Sequence, residues 1–195
     1  MDPTSSPNKE TIIAIKTFSD GVSLPATDIN SYLTNSGLVY IKQQTVGTSV
    51  TSVSVTSAFS ADYDNYRVIY SSGVAASAAS MTFALTGSAT GYYAAVDGCS
   101  YAGGTSSIAE ANASLFSFAG IGTPEGNSLD LTLYNPFIAY RTGMQISGRV
   151  DIRGGGAAYC GGGFHNVASS FSGFTITCSS ALTGGIIYVY GFRKA

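Results

Sequence analysis

The sequence is poor in the residues that carry chemistry. It has no tryptophan, one histidine and three cysteines in 195 residues. Charged residues make up 10% of the chain, against about 25% in an average soluble protein. No apolar run approaches the roughly 20 residues of a membrane-spanning helix, so no membrane insertion is expected. These shortages disfavour catalysis and favour a function in binding or assembly.

The histidine and the cysteines are also poorly placed for a reactive site. Cys99, Cys160 and Cys178 are too far apart for a C-x-x-C motif, and we expect buried free thiols, with one disulfide plus one free thiol as the alternative. His165 has no G-x-S-x-G motif to serve, and one histidine with dispersed cysteines does not make a zinc site. We therefore expect no catalytic residue, no cofactor and no metal.

The charge and the composition indicate which classes of partner the protein binds. The net charge is −2 and the lysines and arginines are scattered, so we expect no binding to nucleic acid. A surface with so few charges consists largely of Ser, Thr, Gly and Tyr, or is covered by other subunits. Such surfaces pack against copies of themselves at little desolvation cost, which predicts a homo-oligomer.

Short β-branched and aromatic segments recur from residue 37 onward, separated by Gly, Ser, Asn and Pro. Segments 129–133 and 174–177 alternate apolar and polar residues, as strands with one face in water do. Nine strands are predicted: 38–43, 50–55, 66–70, 81–85, 115–118, 129–134, 144–152, 171–177 and 186–192. With no long helix between them, they predict an all-β fold, an antiparallel β-sandwich of jelly-roll type.

Residues 1–45 are interpreted as an N-terminal docking segment, and residues 46–195 as the β-sandwich domain. Segment 25–33 predicts one or two helical turns with an apolar stripe at i, i+3 and i+4. A helix this short needs a surface to lie on, either a neighbouring protein or its own domain's sheet. The predicted docking residues are Leu24, Pro25, Ile29, Tyr32 and Leu33.

Several aromatic residues and the histidine are predicted to lie in exposed, glycine-flanked loops. There they could bind sugar rings or another protein, although ordinary packing is the alternative. The glycine runs at 154–156 and 161–163 could shape the rim of such a site, form flexible loops or allow subunits to approach closely. The loop candidates are Tyr92, Tyr93, Tyr101, Phe164 and His165.

A series of motifs, in this order and spacing, resembles minor tail and virion proteins of tailed bacteriophages. The motifs are TFSDG at 17–21, LPATDINSYL at 24–33, SGLVYI at 36–41, AFSADYDNYRVIY at 58–70, TGYY at 90–93 and YVYGFRK at 188–194. The resemblance implies a phage structural protein that is assembled in the host cytoplasm and exposed on the virion. It also implies contacts with other virion proteins and a homo-oligomer, often a trimer, and it brings no catalytic residues.

The resemblance leaves the place on the particle open. Because no long fibrous shaft follows residues 1–45, we expect a tail-associated or surface appendage protein that mediates assembly and attachment to a host surface glycan or protein. A capsid decoration protein that stabilises the head is the alternative. A polysaccharide-degrading enzyme would need paired carboxylates in one cleft, and the 11 acidic residues disfavour this third class.

Overall fold

The computed structural model describes residues 37–152 and 155–194. Within these ranges the chain forms thirteen β-strands and no helix. No helix of this part of the chain is therefore long and apolar enough to cross a membrane. The predicted N-terminal helix and its docking residues Leu24, Pro25, Ile29, Tyr32 and Leu33 lie outside the described residues.

The strands follow one another with short connections. They are β1 (Leu38–Thr45), β2 (Val50–Val55), β3 (Tyr63–Ser71), β4 (Val74–Ala75), β5 (Ala79–Leu85), β6 (Tyr92–Ser100), β7 (Thr105–Ala113), β8 (Phe116–Thr123), β9 (Gly126–Tyr134), β10 (Tyr140–Ile152), β11 (Gly155–Ser169), β12 (Phe174–Thr183) and β13 (Ile186–Arg193). The sequence pattern predicts nine of these strands and does not predict β4, β6, β7 and β11.

The strands form two antiparallel sheets. The long sheet has the order β1-β13-β3-β9-β10-β11-β6-β7, and the short sheet has the order β2-β12-β5-β8 with β4 paired to β12. The two sheets are linked where the end of β8 pairs with the start of β9. The predicted all-β, antiparallel sandwich is confirmed.

Eight of the strands have the connectivity of a jelly roll. When β4 and the hairpins β6–β7 and β10–β11 are left out, the first strand pairs with the eighth (β1 with β13) and the second with the seventh (β2 with β12). The third pairs with the sixth (β3 with β9) and the fourth with the fifth (β5 with β8). This nested pairing wraps the chain into two facing sheets, as a jelly roll requires.

The two inserted hairpins extend the long sheet beyond β9. Strands β10, β11, β6 and β7 pair in that order, and β10 joins them to β9. We call these four strands the arm. Its inner face covers β8, since the rings of Phe118 and Tyr159 meet edge to face at 4.8 Å. The arm is therefore part of the same core as the jelly roll.

Strand alternation decides which residues form that core. In β9, Leu129, Leu131 and Leu133 are buried while the residues between them are not. The short sheet contributes large aromatic side chains, and the rings of Phe83 and Phe174 stack with centroids 5.0 Å apart. Burial of such apolar surface, worth roughly 25 cal/mol per Å², is the main force that holds the two sheets together.

Strand β1 belongs to the domain, although it falls within the N-terminal segment 1–45 of the sequence interpretation. It pairs with β13 from Leu38 to Thr45, with one bulge between Tyr40 and Lys42. The compact unit that contains the jelly roll starts at Gly37. The docking role of the residues before it stays a prediction.

Candidate functional site

Four of the five residues predicted to lie in exposed loops form two cross-strand pairs between β6 and β11. Phe164 lies opposite Tyr93, and His165 lies opposite Tyr92. Successive side chains of a strand point to opposite faces of the sheet. One pair therefore faces solvent and the other faces the core, and the loop assignment is wrong for all four residues.

The inward pair, Tyr92 and His165, is fully buried. The Leu85 N–H donates to the Tyr92 hydroxyl at 2.9 Å. The His165 Nε2 lies 2.7 Å from the Ser88 Oγ and 3.0 Å from the Thr90 carbonyl oxygen. Burial lowers the pKa of His165 below its usual 6.5. The neutral imidazole thus holds the chain before β6 in place, and neither residue is open to a ligand.

The outward pair, Tyr93 and Phe164, forms an exposed stack. The two rings are nearly parallel, at 6°, with centroids 5.0 Å apart. The Phe164 side chain is 38% exposed. The guanidinium carbon of Arg141 lies 5.5 Å from the centroid of the Phe164 ring, within the range of a cation–π interaction. Two rings and one cation are therefore combined at the surface.

The same row of residues continues across the sheet to Tyr134. Phe164 lies opposite Gly143 in β10, and Gly143 lies opposite Tyr134 in β9. A Cβ at position 143 would stand 3.2 Å from the Tyr134 ring, so glycine leaves room for this ring against the sheet. The Tyr134 hydroxyl donates to the Gln145 Oε1 at 2.9 Å, which holds the ring in its position.

We define the aromatic face as Tyr93, Tyr134, Arg141 and Phe164. Of the nine large apolar side chains exposed in the described residues, five lie in 134–140 and 164–167: Tyr134, Ile138, Tyr140, Phe164 and Val167. Exposed apolar side chains concentrated in this way mark an interaction site more often than scattered ones do. The aromatic face is the candidate functional site.

The aromatic face lies at the end of the long sheet, measured along its strands, where β3 begins and β9 and β13 end. Tyr134 pairs with Asn65 near the start of β3, and Tyr63 at that start pairs with Arg193. The Arg193 N–H in turn donates to the Gly37 carbonyl oxygen at 3.0 Å. Gly37 therefore stands at the same end of the sheet as the aromatic face, some strands away.

Tyr101 lies at the opposite end of the sheet. It belongs to the turn between β6 and β7 and is 61% exposed, so the loop assignment is right for this residue. Its N–H donates to the Gly156 carbonyl oxygen at 3.0 Å. Tyr101 is thus exposed but separate from the aromatic face.

The glycine run at 161–163 forms part of strand β11, and it does not form a loop. A Cβ at Gly163 would lie 2.2 Å from the Tyr93 carbonyl oxygen, and one at Gly161 would lie 2.4 Å from the Ala95 carbonyl oxygen. These glycines therefore let β11 approach β6 closely. The close approach considered in the sequence analysis occurs here between strands of one chain.

The cysteines are only partly where they were expected. All three are free, and Cys178 is buried. Cys99 and Cys160 are exposed, so the prediction of buried thiols is wrong for them, because each falls on the outer side of its strand. They line, with Asp97, an open depression of about 570 Å³. Among the described residues, no group of three or more His, Cys, Asp or Glu side chains could hold a metal ion.

Tyr134 and Arg141 are functional candidates that the sequence reasoning missed. A motif signal for them is weak, because their position beside Phe164 depends on the register of β9, β10 and β11. Together the four side chains offer ring surfaces and one guanidinium, which bind proteins and sugars by contact. No protein-family model, curated protein or solved structure matches the chain.

Proposed function

We propose that this protein is a structural component of a bacteriophage particle, a tail-associated or surface appendage protein that mediates assembly and host attachment. The sequence motifs that resemble minor tail and virion proteins suggest the class. The observation that carries the proposal is the aromatic face, where Tyr93, Tyr134 and Phe164 stand with Arg141 on one sheet. Tyrosine and arginine are among the residues that dominate binding energy at protein interfaces.

The two ends of the long sheet receive different roles in this proposal. Residues 1–36, which precede Gly37 in the chain, include the predicted docking residues. In this proposal the end of the sheet with Gly37 and the aromatic face contacts neighbouring virion proteins. The opposite end, with Tyr101, is presented outward to a host glycan or protein. We therefore assign the aromatic face to assembly and the far turns to attachment.

The proposal includes no catalysis, no cofactor and no nucleic acid. Several acidic side chains of the described residues have structural partners. Asp130 accepts from the Arg67 Nε at 2.8 Å, and Glu110 accepts from the Ser117 N–H at 3.0 Å. The proposed activity is contact between proteins, within the particle as a homo-oligomer and with the host surface.

Particles assembled with variant protein test the role of the aromatic face. We expect the double variant Tyr93→Ser, Phe164→Ser to reduce incorporation into purified particles about tenfold or more, since it removes a stacked interface anchor. Tyr101→Ser is the matched control, an exposed aromatic residue at the other end. It should be incorporated normally and should lower adsorption to host cells. Normal incorporation of the double variant, shown folded by circular dichroism, would contradict the assignment.

Immunogold labelling of particles with an antibody against residues 46–195 tests the class itself. Gold at the tail or an appendage supports the proposal. Regular labelling over the head would replace it with a capsid decoration protein, and no label on intact or opened particles would overturn the virion function. Release of sugars from host polysaccharide by the purified protein would contradict the non-enzymatic part.

A further inference from the structure

The long sheet ends in two edge strands, β1 and β7. Strand β1 carries a lysine and a bulge near its middle, whereas β7 has no lysine and its bulge lies among its last residues. Lys42 in β1 donates to the carbonyl oxygen of Thr56, the residue after edge strand β2, at 2.5 Å. The bulge beside Lys42 also interrupts the regular backbone of β1. Edge lysines and bulges are features by which proteins keep sheet edges from joining other strands.

Strand β7 has neither a lysine nor a proline. Its nine residues, Thr105–Ala113, include one ionisable side chain, Glu110. That carboxylate accepts from the Ser117 N–H at 3.0 and 3.2 Å, so it is held by β8 and does not guard the edge. The outer-face side chains Ser107 and Ala109 are small and exposed. On this face β7 presents no charge and no bulky side chain to an approaching strand.

The backbone of β7 is regular enough to serve as a template. Thr105 to Glu110 pair with Cys99 to Ala94 without interruption, and the register shift comes only after them. In an antiparallel edge strand, every second residue directs its N–H and C=O groups away from its neighbour. In the described part of the chain no further strand follows β7 in the sheet. Its outward backbone groups are therefore available to another strand.

We propose that β7 pairs antiparallel with β7 of a second copy of this protein across a two-fold axis. An antiparallel pair of identical strands is self-complementary, so one edge supplies both halves of the contact. Because Glu110 is directed to β8 and β7 carries no other charged side chain, the two paired strands do not repel each other. This pairing joins the arms of two copies into one continuous sheet and goes beyond the proposed function.

The pairing should be concentration-dependent. A single strand pair is weak by itself, and it gains strength where copies are held close together, as on a particle. The full chain should therefore be monomeric when dilute and dimeric as its concentration approaches about 1 mM. Analytical ultracentrifugation of the purified protein measures this without any other virion component, so the outcome is independent of the proposed function.

A matched pair of lysine substitutions locates the interface. Ala109 in β7 and Ala95 in β6 are both exposed, and they lie directly opposite each other. Ala109→Lys places the charge on the edge strand, whereas Ala95→Lys places the same charge one strand further in. We expect Ala109→Lys to raise the dimer dissociation constant about tenfold or more and Ala95→Lys to change it less than about threefold.

Hydrogen exchange gives a second measurement that does not depend on the variants. In the wild-type dimer, every second amide of Thr105–Glu110 should exchange more slowly than in dilute protein.

A monomer at all concentrations, a mass of three chains, or equal effects of the two lysines would overturn the proposal. So would a dimer that Tyr93→Ser, Phe164→Ser abolishes and Ala109→Lys leaves intact.

Discussion

At the scale of single residues, His165 makes the stability of the fold depend on pH. Burial lowers the pKa of His165 in the folded protein below 6.5, the usual value that the histidine has in the unfolded chain. Near pH 6.5 the unfolded chain therefore binds a proton more readily than the folded protein does. The contribution of His165 to the free energy of unfolding should therefore be constant above about pH 7.5 and fall as the pH drops through 6.5. For one proton the slope is at most about 1.4 kcal/mol per pH unit, until the folded pKa is reached.

Urea unfolding at about pH 7.5, 6.5 and 5.5 measures this slope. His165 is the one histidine of the chain, so a slope that disappears in a His165 variant is assigned to this residue. His165→Gln should be less stable throughout, because it loses packing against Tyr92, but its stability should not depend on pH in this range. An unchanged slope in the variant would assign the pH dependence to another group.

At the scale of elements, Glu110 fastens β7 to β8. Its carboxylate accepts a hydrogen bond from the Ser117 N–H, which is partly buried. Removal of the carboxylate leaves this N–H without the acceptor. We expect Glu110→Ala to lower the free energy of unfolding by about 1–3 kcal/mol. Glu110→Gln should lose less, since an amide oxygen still accepts. Thermal and urea unfolding check both, with the exposed Glu125→Ala as a control within about 0.5 kcal/mol of wild type. Equal losses for Glu110→Ala and Glu125→Ala would refute the fastening role.

At the scale of the whole molecule, the domain should require β1. A chain of residues 37–195 should fold and unfold cooperatively, because it contains the complete jelly roll. A chain of residues 46–195 lacks β1 and leaves β13 as an uncovered apolar edge, which invites aggregation. Circular dichroism melts and light scattering compare the two. Equal stability and solubility would place the start of the domain after β1.

Much of the fold was predictable because the jelly-roll strands carry a local signal. Leu129, Leu131 and Leu133 alternate with polar residues, and β13 consists of β-branched and aromatic residues that favour strands. Three of the four arm strands were missed because β6, β7 and β11 consist largely of Ala, Gly and Ser, which have little strand preference of their own. The run 161–163 is a strand only because it pairs with β10 on one side and β6 on the other.

The candidate site was predictable only as a set of aromatic residues. Tyr93 and Phe164 stood among the candidates, but so did Tyr92 and His165, one residue away in each case. Arg141 and Tyr134 gave only a weak signal, since their positions beside Phe164 depend on the register of β9, β10 and β11. A motif can therefore propose which residues are present at a surface, but it cannot place them side by side.

The sequence by itself determined that the chain folds into an antiparallel β-sandwich, because alternation and strand preference are local properties. It also determined that few residues are available for chemistry. Only the tertiary structure decided that Phe164 faces solvent while His165 is buried, and that Tyr134 and Arg141 join Tyr93. The physical reason is register: a shift of one residue moves every side chain of a strand to the other face, and pairing between distant strands sets that shift.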